Sequence, residues 1–151
     1  MLLNTKHFGE VDYDVKEVIT FEEGLPGFRD TQFVLLADSP DDLFCWLQSV
    51  EDEELAFILM DVRQIMPSYQ PDIEPGMIES LDDGSALSYY NVAVVPEDLD
   101  KMRVNLKAPI IINTNTRKGK QVIAGNEEYG IRHYIFEELA QAEAGQIGQV
   151  I

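Results

Sequence analysis

The strongest constraint on this chain is a two-residue hydrophobic rhythm. It is carried by short runs rich in Val, Ile, Phe and Tyr and broken by Gly, Pro, Asn and Asp. Such a rhythm suits strands, because successive side chains of a strand point to opposite faces. Phe8 to Asp14 alternates around Val11 and Tyr13, and Val18 to Phe21 is a second short run. Gln32 to Ala37, Phe44 to Val50 and Leu55 to Met60 follow. The last two flank the acidic run Glu51-Asp52-Glu53-Glu54 and are expected to form a hairpin. Ala86 to Val95, Met102 to Leu106 and Pro109 to Asn113 continue the pattern, and residues 109–114 and 120–124 are expected to pair across Arg117-Lys118-Gly119-Lys120. Ile131 to Phe136 is a late strand or the start of a terminal helix.

Interruptions are as informative as runs. Gly24-Leu25-Pro26-Gly27-Phe28 is a turn, since proline fixes φ and glycine permits positive φ. Three prolines between Pro67 and Gly76 exclude a central strand and indicate an extended surface crossing. Met77 to Leu81 is expected to hold one or two helical turns, ended by Asp82-Asp83-Gly84. Only the Ala- and Glu-rich stretch from Glu137 to Ala144, with Gly145 as its stop, has helical composition. Strand and helix do not alternate. The expected fold is therefore all-β: a single small β-barrel or sandwich of about eight or more short antiparallel strands with a short C-terminal helical tail. The expected division is a β domain over residues 1–136 and an Ala/Glu/Gln-rich tail over 137–151. A length of 151 residues with 45% hydrophobic content suits one such domain.

Charge narrows the partners. The chain has 28 Asp and Glu against 11 Lys and Arg, a formal net charge of −17. Residues 1–100 hold 23 of the acids and four of the bases, whereas residues 101–151 hold five acids and seven bases. A field of this sign repels phosphate backbones and draws basic proteins, so direct nucleic-acid binding is not expected. The acids cluster at Glu22-Glu23, Asp41-Asp42, Glu51 to Glu54, Asp82-Asp83 and Glu97-Asp98. Beside Gly, Pro and Ser they are either solvated turns or parts of one acidic face. No apolar run approaches a membrane-spanning length and no secretory leader is visible, so a cytoplasmic protein is expected.

The residues offer no constellation for catalysis. There is no G-x-S-x-G elbow, no phosphate-binding glycine loop and no H-E-x-x-H pair. His7 and His133 stand apart and are expected at a surface or half-buried in strands. The single cysteine, Cys45, sits in an apolar run and is expected to be an inert core thiol. Asp12 with Asp14, or Asp82 with Asp83, forms a carboxylate pair of the kind that chance supplies among 28 acids. No catalytic residue, metal or cofactor is expected. On the run from Phe44, strand geometry sets Phe44, Trp46 and Gln48 on one face and Cys45, Leu47 and Ser49 on the other, as in a strand covered on both sides.

Several strings, in order, carry a family resemblance. They are Thr5-Lys6 with Gly9 and Val11, then Ile19 through Phe28 with its F-E-E-G-L-P-G-F, Phe33 to Leu36, Phe44 to Ser49 with its W-L-Q-S, and Leu55-Ala56-Phe57. Asn105-Leu106-Lys107-Ala108-Pro109 through Asn113, and Gly119 to Ile123, complete the series. Together they resemble the flagellar assembly factor FliW family over residues 4–124. The resemblance implies a small, non-enzymatic, cytoplasmic, barrel-like protein that switches between two partners. One is flagellin before its secretion. The other is CsrA, a small basic RNA-binding repressor of flagellin translation, whose repression such a protein relieves either at the RNA site or through coupling from elsewhere. A dedicated flagellin chaperone without CsrA regulation is the alternative, and a carboxylate-based enzyme a third reading. Within the resemblance, Gly24, Pro26 and Gly27 shape a turn, and Leu25 and Phe28 are either core plugs or exposed anchors. Asn105 and Asn113 are expected to satisfy backbone groups at a strand break. The expected contacts to CsrA are the acidic loops Glu22, Glu23, Glu51, Asp52, Glu53 and Glu54. Flagellin is expected in an apolar groove.

Overall fold

A computed structural model of the chain describes residues 1–39, 42–81 and 86–142. Asp41, the Asp82-Asp83-Gly84 stop and the end of the expected terminal helix lie outside the described residues. The described residues form eleven strands: β1 (Leu2–Thr5), β2 (Gly9–Asp12), β3 (Ile19–Thr20), β4 (Gln32–Leu36), β5 (Phe44–Ser49), β6 (Ala56–Met60), β7 (Leu87–Val94), β8 (Arg103–Val104), β9 (Ile110–Asn113), β10 (Lys118–Gln121) and β11 (His133–Tyr134). Strands β1 and β2 form a separate hairpin, while the other nine share one sheet. Residues 136–142 are α-helical and form α1.

Seven strands close on themselves. The pairing runs β3–β4–β5–β6–β7, continues from β7 to β9 and β10, and returns to β3. All these neighbours are antiparallel except β10 and β3, which run parallel with Lys118 beside Thr20. The exception is forced. An odd number of strands cannot alternate direction all the way round a ring, so one pair must run the same way. The Thr20 N–H donates to the Arg117 carbonyl at 2.9 Å across this seam. Strands β8 and β11 extend the sheet beyond the ring.

The two-residue rhythm sorts side chains inward and outward. Phe33, Cys45, Leu47, Leu59, Ile110 and Ile112 fill the barrel with Ile19, Phe21 and Leu25. Their neighbours in sequence face out and are covered in turn. The β1–β2 hairpin lays Leu3 and Tyr13 over Val34. Met60, Ala93 and Val104 form a second core with Val62, Tyr69 and Ile135, against which Leu139 of α1 packs. Ile111 is covered by Leu81 and Val122. Double-sided burial explains why β5 and β9 read as nearly continuous apolar runs.

The proline-rich crossing is as expected, free of strand, and one residue in it is pinned: the buried Tyr69 hydroxyl donates to the Leu106 carbonyl at 2.7 Å. The helical turns expected over 77–81 are the 3-10 turns Pro75–Met77 and Glu79–Leu81. Both expected hairpins form, with β10 beginning earlier, at Lys118.

Gly119 is required at the seam. A Cβ there would lie 2.5 to 2.9 Å from three ring carbons of the fully buried Phe21. Gly119→Ala is therefore expected to lower stability by about 1–3 kcal/mol through overpacking, read as a fall in the urea midpoint. An unchanged midpoint would show that the ring can move aside freely.

Candidate partner-binding surface

The loop joining β3 to β4 is shaped by its two glycines. Gly24 and Gly27 have φ of 67° and 88°, which other residues adopt only under strain. The Gly24 N–H donates to the Phe21 carbonyl at 2.8 Å and the Phe28 N–H to the Leu25 carbonyl at 2.9 Å. This winding resolves the alternatives left open for the two apolar residues. Leu25 is 5% exposed and plugs the barrel, while Phe28 is 45% exposed and stands edge-on to Phe57 with ring centroids 5.0 Å apart.

Beside Phe28 opens a cleft of about 270 Å³. Its walls include Leu25, Phe28, Phe57, Val92 and Ile110, so it reaches the barrel's own core. It lies where the sheet parts. Ala93 faces Val104 and Tyr90 faces Ile110, so residues 105–109 oppose only residues 91 and 92. The extra residues bulge away from β7. The Asn105 carboxamide accepts from the Ala108 N–H at 3.0 Å within the bulge. The buried Asn91 donates to the Asn105 carbonyl at 2.8 Å and to the Tyr69 hydroxyl at 3.0 Å, fixing the bulge from beneath. Asn113 does similar work past β9, accepting from Asn115 and Thr116 N–H groups. Arg103 and Arg132 also line the cleft, and no carboxylate does.

The acidic residues lie on the loop that carries Phe28 and on the turn tied to it. Glu22 lies 3.9 Å from the Lys118 ammonium and Glu23 3.5 Å from that of Lys120, the glutamates exposed and the lysines half-buried. Residues Glu51 to Glu54 form the exposed turn between β5 and β6. Its architecture comes from the two residues before it. The buried Gln48 side-chain amide lies within 3.0–3.3 Å of the carbonyls of Ser49, Asp52, Glu53 and Leu55. The Ser49 hydroxyl donates to Asp30 and accepts from the N–H groups of Glu51 and Asp52. Glu51 is committed to the neighbouring loop, where its carboxylate accepts from the Thr31 and Gln32 N–H groups at 2.9 and 2.8 Å. Those bonds hold its carboxyl below the usual range. Leu25, Phe28, Glu22 and Glu23 thus share one loop, and that loop is tied to the turn bearing Glu51, Asp52, Glu53 and Glu54.

Phe57, Val92, Ile110, Arg103 and Arg132 were not singled out by sequence. Alternation puts them on strands or turns, but only closure of the ring and the bulge bring them together. Elsewhere, burial and the nearby Asp61 push the Cys45 thiol up to about 11, which leaves it protonated near neutral pH. His7 stacks on Trp46 with centroids 4.1 Å apart, and His133 bonds Glu138 at 2.7 Å. Among the described residues no three His, Cys, Asp or Glu side chains are grouped to hold a metal ion, and no helix is long and apolar enough to cross a membrane.

Comparison with known proteins agrees with this architecture. The family model described as FliW protein matches residues 2–135. The chain belongs to the FliW family. The flagellar assembly factor FliW of Thermoanaerobacter pseudethanolicus is 44% identical over 146 residues, covering 94% of this chain and 97% of that protein. The protein of the same name from Alkaliphilus metalliredigens is 40% identical, covering 95% and 91%. A crystal structure of the flagellar assembly factor FliW superposes with a TM-score of 0.81 at 34% identity, covering 90% of this chain and 97% of that one. The strings that carry the FliW resemblance are now seen to be structural devices: Gly24 and Gly27 wind the loop, Gln48 and Ser49 build the acidic turn, and Asn105 and Asn113 cap breaks in strands.

Gln48→Leu would leave four carbonyls without their shared donor. It is expected to cost about 1–3 kcal/mol and to speed amide exchange across residues 50–55; unchanged exchange there would contradict the assignment. Glu51 gives a pH test. Its folded pKa is depressed, so its stabilisation is present above the ordinary carboxylate range and is lost as pH falls through the folded value. The stability gap between the wild type and Glu51→Gln should therefore be open at pH 7 and close below about pH 4; a gap that widens on acidification would contradict this.

Proposed function

We propose that this chain is a non-enzymatic, cytoplasmic regulator of flagellar assembly that switches between CsrA and flagellin. CsrA is basic, and it would dock on the exposed carboxylates of Glu22, Glu23, Asp52, Glu53 and Glu54, with Glu51 bracing the turn. Flagellin would place an apolar segment in the cleft beside Leu25, Phe28 and Phe57. Neither nucleic acid nor a membrane is required.

The observation that carries this reading is the shared loop. Residues 22–28 supply carboxylates to one surface and apolar walls to the other, and Glu51 ties that loop to the acidic turn. A partner seated in the cleft must press on Phe28, and a partner on the acids must engage the same few residues from outside. Two ligands competing for one loop make the free concentration of each depend on the other, which is what a partner switch needs. The net charge of −17 further favours fast encounter with a basic protein.

Calorimetric titration with CsrA, alone and after saturation with flagellin, tests the proposal. CsrA should bind the free protein and fail to bind the flagellin complex, and its association rate should fall steeply with salt. Binding in both states would overturn the switch. Flagellin binding without any CsrA binding would favour the chaperone reading, and a salt-insensitive association rate would remove the acids from the contact.

A further inference from the structure

The cleft has the opposite charge character to the rest of the molecule. Acids outnumber bases 28 to 11 in the chain, yet the cleft is lined by two arginines and no carboxylate. Among the described residues neither Arg103 nor Arg132 forms an ion pair with the protein. Arg103 is positioned by strand pairing on both sides, facing Val94 of β7 and Tyr134 of β11. Arg132 immediately precedes β11 and is exposed. The space, about 270 Å³, falls below the ~300–1,000 Å³ of small-molecule pockets and suits a few inserted side chains.

We propose that this cleft selects an apolar peptide segment carrying carboxylates beside its apolar anchors, with Arg103 and Arg132 as the specificity-determining residues. The apolar part would fill the space between Phe28, Phe57 and Val92. The two guanidiniums would then take up the flanking carboxylates, for which their planar donor forks are matched. A segment flanked by lysines would meet two like charges and leave the guanidiniums unanswered. The inference deepens the reading above, in which the cleft receives flagellin. It adds that the two docking surfaces at this end of the barrel sort partners by sign: basic on the acidic turns, acidic-flanked apolar in the cleft. Neither partner fits the other's place.

The test uses the full chain and two fluorescent helical peptides with the same leucine stripe, one flanked by glutamates and one by lysines. The glutamate peptide should bind about tenfold or more tightly than the lysine peptide. Arg103→Gln with Arg132→Gln should erase that preference, and Phe28→Ser, at an exposed position, should weaken the glutamate peptide. Equal affinity for the two peptides, no binding of either, or a preference that survives the double arginine variant would overturn the inference. Flagellin is titrated in parallel. If flagellin fails to bind while the peptide preference holds, the flagellin reading falls and the cleft's charge selectivity stands. If flagellin binding is lost in Phe28→Ser but unmoved by the arginine changes, the flagellin reading stands and the selectivity falls.

Discussion

Closure of an odd-numbered ring governs this molecule. Seven strands cannot alternate around a circle, so one pair must run parallel; that pair is β3 and β10, and they meet through very little sheet. β3 is two residues long and only Lys118 and Thr20 are in register across the seam. The contact therefore depends on packing beneath it, where the absence of a side chain at Gly119 lets the Phe21 ring lie against β10. With that seam closed, the cleft beside Phe28 reaches the core from the end of the barrel where β7 meets β8. There the β8–β9 bulge draws residues 105–109 away from β7. The opening is not a packing failure, because Tyr69, Asn91 and Asn105 hold the bulge with a connected set of buried and part-buried hydrogen bonds.

The same end gathers the charge. Loops after β3 and β5 carry acids, whereas β8 and the residue before β11 bring arginines. The acids come from the first hundred residues and the two arginines from the slightly basic remainder of the chain. Buried apolar area makes the two halves one fold. Charge makes the two sides of its open end chemically different.

Much of the architecture is legible from residue order. The unbroken apolar runs Phe33-Val34-Leu35-Leu36 and Phe44 to Leu47 predict strands covered on both faces, and the hairpins on either side of Glu51–Glu54 and Arg117 follow from local turns. The turn at Gly24–Gly27 is equally local. The opening strand β1 goes unread because its partner pairing with β2 leaves Leu2 and Asn4 exposed, so little hydrophobic rhythm marks it. The parallel seam is invisible because it joins residues near 20 to residues near 118, and nothing in either short run specifies direction. The cleft is hidden for the same reason. Phe57, Val92, Arg103, Ile110 and Arg132 come from five places in the chain, and only the ring and its bulge make them neighbours.

The strings that identify the family therefore mark its architecture. Gln48 and Ser49 are buried and bond the acidic turn, so they shape the segment that bears Asp52, Glu53 and Glu54. Gly24 and Gly27 likewise place Phe28. Residues that need one backbone shape or one buried hydrogen-bond set admit few substitutes, and so they make strong signatures. Exposed carboxylates and guanidiniums only have to present a charge of the right sign in about the right place, which many sequences can do. Architecture in this protein is written in specific residues; under the proposed function, recognition would rest on the sign and position of charge around an apolar opening that those residues hold in shape.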